Sequence, residues 1–151
     1  MSESGQQKIT FIGCGCMAEA LVAGLLQQGY DAQKIVVANR GRSKLKRFAN
    51  QYPVCIAEHN AEAVKSADIV ILAVKPAQMQ VVCEQIRGAV AKATVIVSVA
   101  AGIELNMLRS WLGGHSHVIR VMPNLAAGVA QSATALYADA KAQECTEKVE
   151  S

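Results

Sequence analysis

Short, almost unbroken apolar runs recur along the chain, and between them apolar residues return at helical spacing. Residues 9–12, 34–39, 54–57, 68–74, 94–99 and 117–122 read as strands, and 133–138 as a seventh whose direction the pattern leaves open. The run at 68–74 has no polar alternation after Asp68, which suits a central parallel strand covered on both faces. A helix over 16–28 puts Met17, Leu21, Gly24, Leu25 and Gln28 on one stripe, and Gly29 stands where a C-terminal cap belongs. Further helices are predicted at 43–50, 60–65, from 76 to about 87, and at 103–112. Pro76 suits a first helical turn, and Gly113-Gly114 stop the last helix. Residues 1–7 are a polar, loose leader, and 139 onward resembles the start of another helix.

Strand and helix alternate at the spacing of βαβ units. The predicted fold class is therefore α/β: a Rossmann-like, doubly wound and mainly parallel sheet with helices on both faces. Such a sheet holds its ligand in a crevice at the C-terminal ends of the strands. The segments to watch are those directly after strands: 13–17, 39–44, 73–76, 100–102 and 122–124.

The first of these segments carries the clearest chemistry. Gly13, Gly15 and Ala18 form Gly-x-Gly-x-x-Ala between a strand and a helix. Gly13 lets the chain turn sharply, Gly15 lets a pyrophosphate approach the backbone, and Ala18 lets the helix lie close to the strand. The N–H groups of Cys16 and Met17 open the helix, where its dipole favours an anion. This context is the one a dinucleotide fingerprint requires.

The second segment bears on which dinucleotide. An acidic residue near the end of the second strand would accept the ribose hydroxyls of NAD. Asn39 stands there instead, Arg40-Gly41-Arg42-Ser43-Lys44 follow, and no acid occurs between Asp31 and Glu58. Arg40, with Arg42, Lys44 and the Ser43 hydroxyl as further candidates, predicts a 2′-phosphate partner and hence NADPH in preference to NADH. Lys46 and Arg47 read as a solvated helix face. A nucleic-acid reading of the cluster lacks an aromatic platform beside it.

Several stretches taken in order resemble the pyrroline-5-carboxylate reductase family: Phe11-Ile12-Gly13-Cys14-Gly15-Cys16-Met17-Ala18, Glu58-His59-Asn60, Ala73-Val74-Lys75-Pro76, Ala100-Ala101-Gly102 and Met122-Pro123-Asn124. The likeness runs from about residue 8 to 138. It implies that Ile12, Gly13, Cys14, Gly15, Cys16 and Met17 hold the pyrophosphate. Asn39 and Arg40 would take the 2′-phosphate side, Asn60 with Ala73, Val74, Lys75 and Pro76 would line the cleft, and Ala101, Gly102 and Asn124 would lie toward the nicotinamide. Family members usually continue Met-Pro-Asn with Thr-Pro, whereas Leu125-Ala126 follow here. The family also has a second, helical domain that carries the substrate pocket and the dimer interface. The resemblance thus implies a leader at 1–7, an NADP-binding domain at 8–138, and at 139–151 the start of a helix linking to that second domain. It further implies NADPH-dependent reduction of the imine 1-pyrroline-5-carboxylate to L-proline, with the catalytic side chains lying outside these residues, the isolated chain inactive, and the full-length enzyme a homo-oligomer. The alternatives are an NADP-linked oxidoreductase of the 3-hydroxyacid dehydrogenase type and a non-catalytic NADP-binding module.

Composition adds limits. The chain is 52% hydrophobic and 18% charged, as a sheet buried on both faces requires, and its net charge of +3 does not by itself call for nucleic acid. No apolar run approaches the roughly 18 residues of a membrane helix. The five cysteines, Cys14, Cys16, Cys55, Cys83 and Cys145, have no framework spacing and suit thiols in a reducing cytoplasm. Cys14-x-Cys16 lacks a second Cys/His pair, so no metal site is read from it. His115 and His117 read as surface-loop residues, Lys75 as a cleft residue whose backbone does the lining, and Met79, Met122 and Trp111 as packing.

Overall fold

In the computed structural model the described residues are 7–121. They form one six-stranded sheet, every strand parallel to its neighbours, in the order β3-β2-β1-β4-β5-β6. The strands are β1 (Ile9–Ile12), β2 (Ile35–Ala38), β3 (Cys55–Ala57), β4 (Ile69–Leu72), β5 (Val95–Ser98) and β6 (Val118–Arg120). The helices are α1 (Cys16–Gln27), α2 (Arg42–Gln51), α3 (Asn60–Val64), α4 (Pro76–Ile86) and α5 (Leu105–Trp111). The order reverses between β1 and β4, so the crevice of a doubly wound sheet opens above their C-terminal ends.

The side-chain period of two builds two cores from one sheet. Ile9 and Phe11 of β1, with Ile69 and Ile71 of β4, face Leu21, Val22 and Leu25 of α1 and Leu45 and Phe48 of α2. Ile12 of β1, with Val70 and Leu72 of β4, faces Ala63 and Val64 of α3, Met79, Val82, Cys83 and Ile86 of α4 and Leu108 of α5. Both faces are filled, so the central strands need unbroken apolar sequence. The buried hydroxyls find backbone acceptors: Thr10 Oγ1 donates to the Ala63 carbonyl and Thr94 Oγ1 to that of Ala67, each at 2.9 Å. The first bond ties β1 to α3, and the second ties the approach to β5 to the turn before β4.

The observed elements differ from the expected ones mainly at their ends. Strands shed their flanks, as in β4, where Asp68 lies outside the strand and its carboxylate accepts the Lys8 N–H at 2.9 Å. A short 3-10 turn at Ala32–Lys34, capped by Asp31, precedes β2 and has no counterpart in the hydrophobic pattern. On α1 the buried stripe runs through Ala18, Leu21, Val22, Gly24 and Leu25; Gln28 is exposed, because it already lies beyond the last helical turn. The stop at Gly29 is as expected: its φ is +87°, its N–H reaches the Leu26 carbonyl, and the N–H of Tyr30 reaches that of Leu25, a Schellman closure. Gly113 and Gly114, both with positive φ, end α5. Met79 is fully buried and Trp111 packs partly buried against the second core, both in packing roles. The expected seventh strand at 133–138, the helix at 139–151 and Met122 lie outside the described residues.

Candidate functional site

The turn after β1 is fixed by its neighbours before any ligand is considered. The N–H of Gly13 donates to the Ala38 carbonyl at 2.7 Å, and the N–H of Ala73 donates to the Ile12 carbonyl at 2.9 Å. Gly13 has φ +106°, and a Cβ there would stand 2.7 Å from the Ala73 carbonyl oxygen. This glycine is demanded both by the backbone and by the close approach of the segment after β4. Gly15 is different. Its φ is −85°, and a Cβ built on it meets nothing within 4 Å. No side chain caps α1 there, so the first N–H groups of a twelve-residue helix face an open cradle that a Cβ would fill. This is the geometry a pyrophosphate requires, and the residues present fit it.

A cleft of about 470 Å³ opens over this turn. It is lined by Ile12, Gly13, Cys14 and Gly15, by Asn39, Arg40, Gly41 and Lys44 after β2, by Asn60 of α3, and by Ala73, Val74 and Lys75 after β4. Ten of the residues expected to bind cofactor therefore meet in one crevice, drawn from four segments far apart in sequence. Cys16, Met17 and Pro76 do not line it, although Cys16 and Pro76 each adjoin a residue that does. Ala101 and Gly102 lie in the turn after β5, exposed and outside the cleft, with Gly102 at φ +82°. Before that turn, the buried Ser98 accepts the Ala100 N–H on its Oγ at 3.3 Å. Asn124 lies outside the described residues.

The cleft has two unlike walls. One carries the cations Arg40 and Lys44. Arg42, a further phosphate candidate from sequence, is directed elsewhere: its Nη2 pairs with Glu58 Oε1 at 3.1 Å, and it does not line the cleft. Ser43 does not line it either. Asn39 lines the cleft while its Nδ2 donates to the Gly41 carbonyl at 3.1 Å, which shapes the turn into α2. Burial raises the pKa of the Cys14 thiol, and the nearby Lys44 ammonium works against that rise. Cys14 is thus a neutral side chain beside the glycine turn, with little thiolate character.

Past Lys75, the wall that α4 supplies carries no charge. It consists of Ala77, Gln78, Val81, Val82 and Gln85 of α4, which sequence reasoning missed. The signal was available: Val82 belongs to the buried stripe Met79, Val82, Cys83 and Ile86, and the other four positions flank that stripe at helical spacing. What the pattern could not give is the side of that stripe on which a cleft would open. Val81, half exposed, has its apolar surface here.

Other candidates resolve as packing or as loop structure. His115 Nε2 donates to the Thr94 carbonyl at 2.6 Å and so fastens the α5–β6 loop to the start of β5. Cys14, Cys16, Cys55 and Cys83 are thiols without disulfide partners. Among the described residues no group of three or more His, Cys, Asp or Glu could hold a metal ion, and no helix is long and apolar enough to cross a membrane.

A parallel sheet of order 3-2-1-4-5-6, with a glycine turn at its switch point, defines a dinucleotide-binding α/β domain. The chain belongs to the family described as NADP oxidoreductase, coenzyme F420-dependent, whose model matches residues 8–102. Within that class it is similar to pyrroline-5-carboxylate reductases. That of Pseudomonas aeruginosa is 42% identical over 134 residues, covering 89% of this chain and 49% of the relative. That of Haemophilus influenzae is 37% identical over 136 residues, covering 90% and 50%. The solved pyrroline-5-carboxylate reductase of Coxiella burnetii, 38% identical, superposes with a TM-score of 0.74 over 80% of this chain and 45% of that one. The chain spans about half the length of the curated relatives it matches.

Proposed function

We propose that this chain is the NADPH-binding half of a reductase that converts 1-pyrroline-5-carboxylate to L-proline. The observation that carries the cofactor reading is the cleft itself. Gly15 leaves an open cradle at the start of α1, and Asn39 stands where an acid would select NAD, with Arg40 and Lys44 following it into the cleft. The substrate reading rests on the similarity to pyrroline-5-carboxylate reductases, each covered over about half its length. In this reading NADPH supplies the hydride for the C=N carbon.

This chain's residues bind and orient. The N–H groups that open α1 hold the pyrophosphate, Arg40 with Lys44 neutralises the 2′-phosphate side, and Ala73, Val74 and Lys75 form the wall beyond the switch point. Cys16, Met17, Pro76, Ala101, Gly102 and Asn124 belong to the same proposed surface as neighbours or as its continuation toward the nicotinamide. The domain spans 8–138, with 139–151 leading into a helical half that closes over the imine and pairs with a second copy. The substrate is a small molecule, and the compartment is the cytoplasm.

Calorimetry with NADPH and NADH at matched ionic strength tests the cofactor preference. NADPH is expected to bind more tightly. Arg40→Asp is expected to weaken NADPH about ten- to a hundredfold, the loss of an ionic hydrogen bond, while NADH changes little. Arg42→Ala is expected to leave both nearly unchanged, because Arg42 is turned to Glu58. Equal affinities for the two nucleotides in the unsubstituted chain would overturn the preference.

A further inference from the structure

Asn60 opens α3 and Gln85 stands near the end of α4, two helices that pack side by side on the same face of the sheet. Both residues line the cleft. Asn60 Nδ2 donates to Gln85 Oε1 at 2.9 Å, so the two amides form a clasp between the helices at the cleft wall. Gln85 is exposed, yet this bond ties its end. Committing Nδ2 to Gln85 turns the other branch of the Asn60 amide away. Its Oδ1 is buried there and has no hydrogen-bond partner among the described residues. An amide held by one hydrogen bond presents its other atoms in a fixed direction, and losing that bond lets the side chain turn.

The location says which part of a dinucleotide is concerned. α3 packs against β2 and β3, on the Arg40 side of the switch point and away from the turn after β5. A dinucleotide laid over the glycine turn has its adenosine on that side. Adenosine carries both donors and acceptors, so its contact with an amide at this wall depends on the way that amide is turned.

We propose that Gln85 is a positioning residue for the adenosine half of the dinucleotide, acting through the Asn60 amide; this rests on the cofactor reading above. Gln85 need not touch the ligand. Its acceptor fixes which way the Asn60 amide faces, and the amide then meets the adenosine without first having to be ordered.

The test is a double-substitution cycle on the full 151-residue chain, read by calorimetry with NADPH and with 2′,5′-ADP, which keeps only the adenosine half. Gln85→Met removes the acceptor at similar length. It is expected to raise the Kd of both ligands about five- to tenfold, as for one orienting hydrogen bond. In an Asn60→Ala background the same substitution is expected to change either Kd by less than about twofold, since nothing remains to be positioned. Thermal unfolding monitors the fold, and Gln85→Ala serves as a second variant should Gln85→Met unfold the chain. Equal losses in both backgrounds would overturn the proposal in favour of a direct contact or a general structural role. No loss in either would overturn it outright. Failure of the unsubstituted chain to bind NADPH or 2′,5′-ADP would overturn the cofactor reading itself, a result distinguishable from the other two.

Discussion

Gly13 and Gly15 stand two residues apart and make opposite demands. At Gly13 a side chain is excluded by both the positive φ and the Ala73 carbonyl 2.7 Å from any Cβ. Gly13→Ala is therefore expected to destabilise the chain by about 2–3 kcal/mol, read as a lowered midpoint in urea. At Gly15 no protein atom within 4 Å objects to a Cβ. Gly15→Val is expected to keep the circular dichroism and melting temperature of the parent while abolishing NADPH binding, because the branched side chain fills the cradle. A folded Gly15→Val protein with unchanged affinity would show that the pyrophosphate does not lie there. Cys83 gives a residue-scale prediction in pH. Burial, with Glu84 adding to it, pushes its thiol pKa up to about 12 from 9.0. Between those values the unfolded chain loses this proton and the folded chain keeps it, so stability is present below about pH 9 and falls as pH rises toward 12. The urea midpoint is expected to drop from pH 9 to pH 11, and Cys83→Ala is expected to make that drop shallower while lowering stability at pH 7. Tyr52, whose phenol is raised by burial and by its hydrogen bond to Glu19, adds to the slope in both proteins.

Among the elements, α1 shows how local sequence and tertiary contact divide the work. Its end is written locally: Gly29 at φ +87° closes a Schellman motif, and a Cβ there would meet nothing. Gly29→Ala is thus expected to cost about 1–2 kcal/mol from backbone conformation alone, with no change in packing or in NADPH affinity. A denaturation midpoint equal to the parent's would show that the cap does not hold the helix end. The docking of α1 is tertiary. Gln51 Nε2 and Tyr52 Oη both donate to Glu19 Oε2, at 3.2 and 3.0 Å, and join the last turn of α2 to the first turn of α1. No period in either segment announces that contact. α4 likewise presents two stripes, one fully buried and one lining the cleft. The buried stripe was legible because it is apolar. The cleft stripe mixes alanine, valine and glutamine, as any exposed helix face does.

For the molecule as a whole, the described residues supply a cleft lined by the cations Arg40, Lys44 and Lys75 and by an uncharged face of α4. Under the proposed division of labour, imine capture belongs to the half of the reductases that this chain does not span. The chain is then expected to bind NADPH yet show no detectable NADPH oxidation with pyrroline-5-carboxylate, because the imine is not held at the roughly 3–3.5 Å needed for hydride transfer. Fusing it to the remaining half of the Pseudomonas aeruginosa relative is expected to restore turnover. A comparable rate without the fusion would show that the chemistry resides in these residues alone.

The alternation of apolar runs with helical stripes determined the fold class, because a parallel sheet buried on both faces needs continuous apolar strands and helices with one apolar side. The same pattern, with Gly13, Gly15 and Ala18, located the tight turn between β1 and α1, because only small residues permit that geometry. The absence of an acid after the second strand was equally readable, since it needs only position in the chain. Other features were settled only by tertiary structure. Arg42 and Lys44 are two residues apart in one basic run, yet Glu58, brought alongside by β3, draws Arg42 away while Lys44 faces the cleft. Asn60 and Gln85 are 25 residues apart and meet because α3 and α4 pack on one face of the sheet. Apolar periodicity records what a segment hides from water. Which polar side chains then face one another depends on where other segments lie, and only the folded chain fixes that.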